Sequence, residues 1–196
     1  MRYHSNITAG ALKVQESRVI AGLLLRNISD REWRSALYEE NVLQTRSPIT
    51  AERLSDLIRG RLSSVEAPLW QLIHDGSVVE ATHACLAAAV KVSHLVGDFL
   101  DTVVRDQYAT FKQTLSLTLW GDYIDECRGR DPEMPQWSES TIERLRSSVF
   151  TILAQAGYID STRTRMLQRV HIVKPVLSYL EQHNEEYVLR CIRVGT

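Results

Sequence analysis

The sequence is poor in the residues that would make a disulfide scaffold, a metal ribbon or a loop-rich fold. Its three cysteines, Cys85, Cys127 and Cys191, are odd in number and far apart, with no CxxC pair. That pattern fits reduced, structural thiols of a cytosolic protein. Nine glycines and five prolines in 196 residues leave few turns and favour long helices. There is no GxxxxGK[ST] or GxGxxG phosphate loop. None of the six histidines falls in HExxH or pairs with cysteine at zinc spacing. His74, His83 and His94 lie about one helix apart and read as ordinary helix-surface or core histidines. No stretch reaches the roughly 20 apolar residues that span a bilayer. The richest, residues 84–96, is diluted by alanines and broken by Lys91, Ser93 and His94, so it reads as a packed soluble helix. The opening Met1-Arg2-Tyr3-His4-Ser5-Asn6 is polar and has no secretory apolar core after it. No nucleophile, base and orienting group can be grouped into a catalytic set. The expectation is a cytoplasmic non-enzyme with no cofactor, no metal site and no membrane segment.

Lysine is the other scarcity. The 23 basic residues are 19 Arg and 4 Lys. Arginine carries a planar fork of donors suited to phosphates and base edges, which lysine lacks. The net charge of −1 hides how the charges are distributed. Residues 1–64 hold 10 basic and 7 acidic groups, residues 65–140 hold 5 and 12, and residues 141–196 hold 8 and 5. The blocks are therefore +3, −7 and +3, with basic ends around an acidic middle.

Apolar spacing predicts a first helix over about 11–26, with Val19, Ile20 and Leu23 on one stripe. Ser29-Asp30-Arg31-Glu32 is a capping-box pattern opening a helix to about residue 41. The turn Gln44-Thr45-Arg46-Ser47-Pro48-Ile49-Thr50 follows, and Thr50 is positioned to cap a third helix over 51–61. This is the outline of a helix-turn-helix or of plain packed helices. Its outward face carries Glu52, Asp56 and Arg59, so Arg46, Thr50 and Arg53 are the better contact candidates. A second bundle is predicted over 69–74, 77–91, 94–108 and 108–127, ended by the loop Asp131-Pro132-Glu133-Met134-Pro135.

The segment after that loop carries the most information. A Ser/Thr cluster at 138–141 opens a helix to Ala156, with Ile142, Leu145, Val149, Leu153 and Ala156 as its buried stripe. Gly157 stands where a left-handed residue ends a helix. Tyr158-Ile159-Asp160 and Val170-His171-Ile172-Val173 read as two short strands around a basic tip with Arg163, Arg165 and Arg169. A last helix follows Pro175, over about 176–184. Helix, glycine, strand, basic tip and strand is the order of a winged helix, whose helix enters a major groove while the wing rests on phosphate. The helix face opposite the stripe carries Ser140, Glu143, Arg144, Ser147 and Thr151. Ser140, Arg144, Ser147, Arg163, Arg165 and Arg169 are the nucleic-acid candidates here, with Glu143 as an objection.

Two further features read as structural. Asp122, Asp125 and Glu126 form an acidic patch without the positioned base that metal nuclease chemistry needs, so it is a solvated face or a protein-docking patch. Trp33, Trp70, Trp120 and Trp137 are spread along the chain and suit bundle cores.

Ile7-Thr8-Ala9-Gly10-Ala11-Leu12, Glu16-Ser17-Arg18-Val19-Ile20-Ala21 and Leu23-Leu24-Leu25 resemble the start of the BrxA family. The run from Glu39-Glu40-Asn41-Val42-Leu43-Gln44-Thr45-Arg46 through Ser47-Pro48-Ile49-Thr50-Ala51-Glu52-Arg53 is also similar to that family. The likeness covers the whole chain and is strongest over 7–62. These are small components of BREX bacteriophage-defence systems. The resemblance implies a cytoplasmic, largely helical protein acting alongside a methyltransferase and other BREX components. It also implies double-stranded DNA binding and a likeness to the NusB RNA-binding fold. Some members have been labelled inner-membrane proteins, a label that this sequence does not support. It implies no catalytic residue.

The sequence therefore predicts a mainly α protein of helical bundle modules with helix-turn-helix-like elements and a small C-terminal β-hairpin. The division is an N-terminal module over 1–64 and a domain over 65–196 ending in a winged-helix-like segment, about 137–184. The expected function is a non-enzymatic, double-stranded DNA-binding accessory of a BREX system. An RNA binder, or an adaptor docking other BREX proteins through the acidic middle, is the alternative.

Overall fold

The computed structural model describes residues 2–7 and 11–195. Helix α1 (Val14–Leu25) is followed by α2 (Asp30–Tyr38) and α3 (Pro48–Leu62). Next come α4 (Ala67–Asp75), α5 (Val78–Val92) and α6 (His94–Asp98). A π-helical segment (Phe99–Val104) carries α6 without a break into α7 (Arg105–Ala109). The remaining helices are α8 (Leu119–Arg130), α9 (Glu139–Ala156), α10 (Lys174–Gln182) and α11 (Glu186–Ile192).

The starts follow local chemistry. The Ser29 hydroxyl accepts from the Glu32 N–H while the Glu32 carboxylate accepts from the Ser29 N–H, closing a capping box. Ser77 and Glu80 repeat the device at α5. At α3 the cap is Ser47, with Pro48 in the first turn, and Thr50 supplies the N–H that Ser47 accepts. The start therefore falls three residues earlier than the spacing predicts, since proline suits a first turn whose N–H groups have no helical partner.

Helix α5 lies at the centre. Its run from His83 to Val90 is buried on every side, and α1, α3, α4, α6, α9, α10 and α11 all pack on it. Ala87, Ala88 and Ala89 permit that close approach. A helix apolar all round is a core helix when it is this short. No helix of the described residues is long and apolar enough to cross a membrane.

A buried carboxylate ties distant segments together. Asp98 is 5% exposed. It accepts from Tyr3 Oη at 2.7 Å, Tyr187 Oη at 2.8 Å and Arg2 Nη2 at 3.0 Å.

The mainly helical expectation holds, but the C-terminal β-hairpin and the winged-helix segment over 137–184 do not. The described residues contain no strand, only isolated antiparallel bridges at Ile159–Leu167 and Thr114–Met166. Asp160 explains the first limb. Its carboxylate gathers the Ser161 N–H at 2.7 Å, the Met166 N–H at 2.8 Å and the Thr164 hydroxyl at 2.6 Å. The chain turns too tightly there for a ladder to extend. Residues 170–173 then dock on the helices instead of pairing. Val170 and Ile172 are buried, and the Val173 N–H donates to His83 Nδ1 of α5 at 3.2 Å. An extended segment lying on helices shows the same alternating burial as a half-buried strand.

Candidate nucleic-acid interface

Ser138 caps α9 by accepting from the Thr141 N–H at 3.3 Å. Gly157 ends it at φ 85°, where the Tyr158 N–H reaches the Leu153 carbonyl. Leu145, Val149, Leu153 and Ala156 face the core. Ser140, Glu143, Arg144 and Ser147 are exposed on the other side, with Thr151 half-buried. The objection raised by Glu143 is reduced, because its carboxylate is taken by Arg146 one turn on. The Arg144 guanidinium has no partner among the described residues. A shallow depression of about 220 Å³, walled by Arg146, Ser147, Thr151 and Thr162, brings the 160–169 loop against the outward face of α9.

The three loop arginines differ. Arg163 and Arg169 are exposed and hold no side-chain partner among the described residues. Arg165 turns back instead. It sits at φ 55°, is half-buried, and its Nη1 donates to the Thr162 and Arg163 carbonyls at 3.3 and 2.8 Å. It closes the tip, together with Asp160. The Thr164 hydroxyl, with the Met166 and Ser161 N–H groups, outweighs desolvation and holds the Asp160 carboxyl below the ordinary range.

At the other end, Arg46, Thr50 and Arg53 are exposed around the start of α3. Asn41, in the left-handed region, braces that turn: its side chain accepts from the Thr45 N–H at 3.0 Å and donates to the Thr45 carbonyl at 3.1 Å. Helices α3 and α9 both pack on α5, so one central helix positions both groups of cations.

The acidic patch on α8 is partly neutralised. Arg128 pairs with Asp125 at 2.8 Å and Arg130 with Glu126 at 2.7 Å, while Asp122 stays exposed. The histidines lie in separate environments. His74 Nδ1 is 3.0 Å from the Arg18 carbonyl, His83 meets Val173, and the His94 ring packs against Tyr187. No group of three His, Cys, Asp or Glu among the described residues is placed to hold a metal. The thiols are buried, and burial pushes Cys85 up to about 11. Trp120 is in the core and donates Nε1–H to the Ile142 carbonyl, and Trp70 donates to the Leu62 carbonyl.

Two residues escaped the sequence reading, Phe111 and Lys112. They sit where the long helix over 94–109 ends, in a run expected to stay helical. The available signal was a lone aromatic within the polar stretch Thr110-Phe111-Lys112-Gln113-Thr114.

The profile of the BrxA family matches residues 1–184. The chain belongs to the BrxA family. A relative from Paramagnetospirillum magneticum (strain ATCC 700264 / AMB-1), named BREX protein BrxA, is 49% identical over 194 residues, covering 99% of this chain and 98% of that one. A second BREX protein BrxA, from Escherichia coli O9:H4 (strain HS), is 33% identical over 181 residues, covering 92% and 85%. A solved structure described as an uncharacterized protein from Magnetospirillum magneticum superposes with a TM-score of 0.91 at 47% identity, covering 98% of each chain. BrxA membership places the chain in the BREX defence system and implies other BREX components as partners. It assigns no role to any side chain.

Proposed function

We propose that this BrxA-family chain is a non-enzymatic, cytoplasmic accessory of BREX that binds double-stranded DNA. The observation that carries the reading is that α9 and the loop after it each carry arginines with no side-chain partner among the described residues. Arg144, Arg163 and Arg169 are exposed and unpartnered among the described residues, while Glu143 beside Arg144 is held by Arg146. Asp160, the carboxylate nearest in sequence to Arg163 and Arg169, accepts from Ser161, Thr164 and Met166. Ser140 and Ser147 beside Arg144 add hydroxyl donors of the kind that meet phosphate or base edges. Arg46, Thr50 and Arg53 supply a second set of contacts at the start of α3.

Such contacts are mainly electrostatic, so binding is weakly sequence-specific and steeply salt-dependent. With four to six phosphates engaged, affinity falls by about 10²–10³ between 50 and 200 mM salt. The test is gel shift on the folded double variant Arg144→Gln/Arg163→Gln. Affinity should drop on unrelated duplexes alike, and the salt slope should flatten by about 2. Unchanged affinity and slope refute the interface. Displacement of labelled duplex by structured RNA, far better than by unlabelled duplex, replaces this reading with the RNA one.

A further inference from the structure

A groove of about 590 Å³ is lined by the end of α7 and the residues just after it, by Leu167 and Arg169, and by Arg193 and Gly195. Every charged residue that lines it is basic: Arg105, Lys112, Arg169 and Arg193. Two of these are already engaged. Arg105 donates to Asp101, and Arg193 pairs with Glu181. Lys112 and Arg169 have no side-chain partner among the described residues.

Phe111 stands at the lip of this groove, 85% exposed. Its backbone is left-handed, at φ 54°. The Lys112 N–H reaches the Gln107 carbonyl and the Phe111 N–H reaches the Tyr108 carbonyl, at 2.9 and 3.1 Å. This is the Schellman arrangement that ends a helix with a left-handed residue, normally glycine or asparagine. The chain follows that preference elsewhere. Gly157 ends α9, and Asn184, with the same pair of bonds, ends α10. At Phe111 the backbone conformation disfavours a side chain, and the ring gains almost no burial in return. Folding opposes this residue on both counts, which is the mark of a functional position.

We propose that the groove holds an unpaired nucleotide of a nucleic-acid strand, its base stacked on Phe111 and its flanking phosphates on Lys112 and Arg169. The chemistry is that of single-strand binding: a cationic track with an aromatic platform, tolerant of sequence because every base has a π-face. A base inside a duplex has its faces covered, so the ring reaches only an end, a bubble or a displaced strand. An apolar peptide would gain nothing from the two unpaired cations. The inference shares only Arg169 with the duplex interface proposed above.

The test is fluorescence anisotropy of the full chain with fluorescein-labelled dT15, rU15 and a 15-base-pair duplex. Phe111→Gly should unfold at the same or a higher temperature than the parent. Its affinity for dT15 should fall by on the order of ten-fold or more, with duplex affinity within two-fold. Phe111→Trp should retain binding, and Lys112→Gln/Arg169→Gln should flatten the salt dependence for dT15. Tighter rU15 than dT15 binding, with the same loss in Phe111→Gly, supports the groove and makes RNA its ligand. Parent-like binding of both single strands by Phe111→Gly, or equal loss of duplex and single strand, overturns it. The two readings fail separately. Arg144→Gln/Arg163→Gln tests the duplex face, and Phe111→Gly tests the groove.

Discussion

Replacing Asp98 with asparagine tests whether the buried carboxylate holds the two ends of the chain on the core. Asp98 receives donors from Tyr3, Tyr187 and Arg2, residues 95, 89 and 96 positions away. Burial alone would raise its carboxyl, but the Tyr3, Tyr187 and Arg2 hydrogen bonds and the guanidinium charge outweigh it and hold the group below the ordinary range. Asparagine keeps the shape and one acceptor but loses the charge. A hydrogen bond to a charged group is worth about 1 kcal/mol more than a neutral one, so three lose about 3 kcal/mol. The Arg2 contribution is discounted because its side chain is 48% exposed. A loss of about 2–3 kcal/mol corresponds to a fall in Tm of roughly 5–10 °C at this chain length. Thermal and urea unfolding at pH 7 measure it. The sign of the pH dependence follows from the depressed folded value. The stabilisation is complete above the unfolded carboxyl range near pH 4, and is lost as pH falls through the lower folded value. The gap between parent and variant should therefore hold down to about pH 5 and close below about pH 4. A gap under about 0.5 kcal/mol at pH 7, or one that stays constant into acid, refutes the account.

Gly157→Ala should destabilise by about 1–2 kcal/mol, read from urea midpoints. The added methyl meets only Val170 Cγ2 at 3.8 Å, so the cost is the left-handed backbone and not crowding. His83 is buried, and desolvation lowers its pKa. Its Nδ1 must stay unprotonated to accept from Val173. Stability from this group is complete above the unfolded histidine range and falls as pH drops through the lowered folded value. The protection factor of the Val173 amide, its intrinsic exchange rate over the observed one, should therefore fall between about pH 7 and 5. His83→Ala should lose that protection at both pH values, and equal protection in parent and variant contradicts the contact.

Much of the fold was legible because local chemistry and tertiary packing agree. Ser29 with Glu32, and Gly157 after an apolar stripe, each mark a helix end whose partners lie within six residues. The alanine-rich stretch before Val90 was readable as buried, since alanine allows other helices to approach from all sides. The failures lie where a distant partner decides the conformation. Val170 and Ile172 alternate like a strand, but what they meet is a helical core, and the Val173 amide finds His83, 90 positions away. Helix α11 went unseen for a similar reason. Its seven residues are rich in β-formers, and it is held by docking on α5, α10 and the π-helical segment. Phe111 was invisible because its information is conformational: an aromatic in a polar run looks like any exposed loop residue until its φ is known.

The site was legible as residue types but not as a surface, and ion pairing explains the difference. Net −1 counts every charge equally, whereas the fold consumes charges locally. Asp101 takes both Arg105 and Arg190, and Glu181 takes Arg193. Asp125, Glu126 and Glu143 each hold an arginine three or four residues on. What remains unpaired among the described residues includes Arg46, Arg53, Lys112, Arg144, Arg163 and Arg169. Paired charges at a few ångströms cancel for a ligand more than a Debye length away, about 8 Å at physiological salt. Pairing leaves the sum itself unchanged, and exposed carboxylates such as Glu52, Asp56, Asp122 and Glu139 also stay unpaired among the described residues. What pairing decides is which guanidinium is free to meet a phosphate directly. Arg193 is held by Glu181 and Arg144 is not, so Arg144→Gln should cost nucleic-acid affinity more than Arg193→Gln.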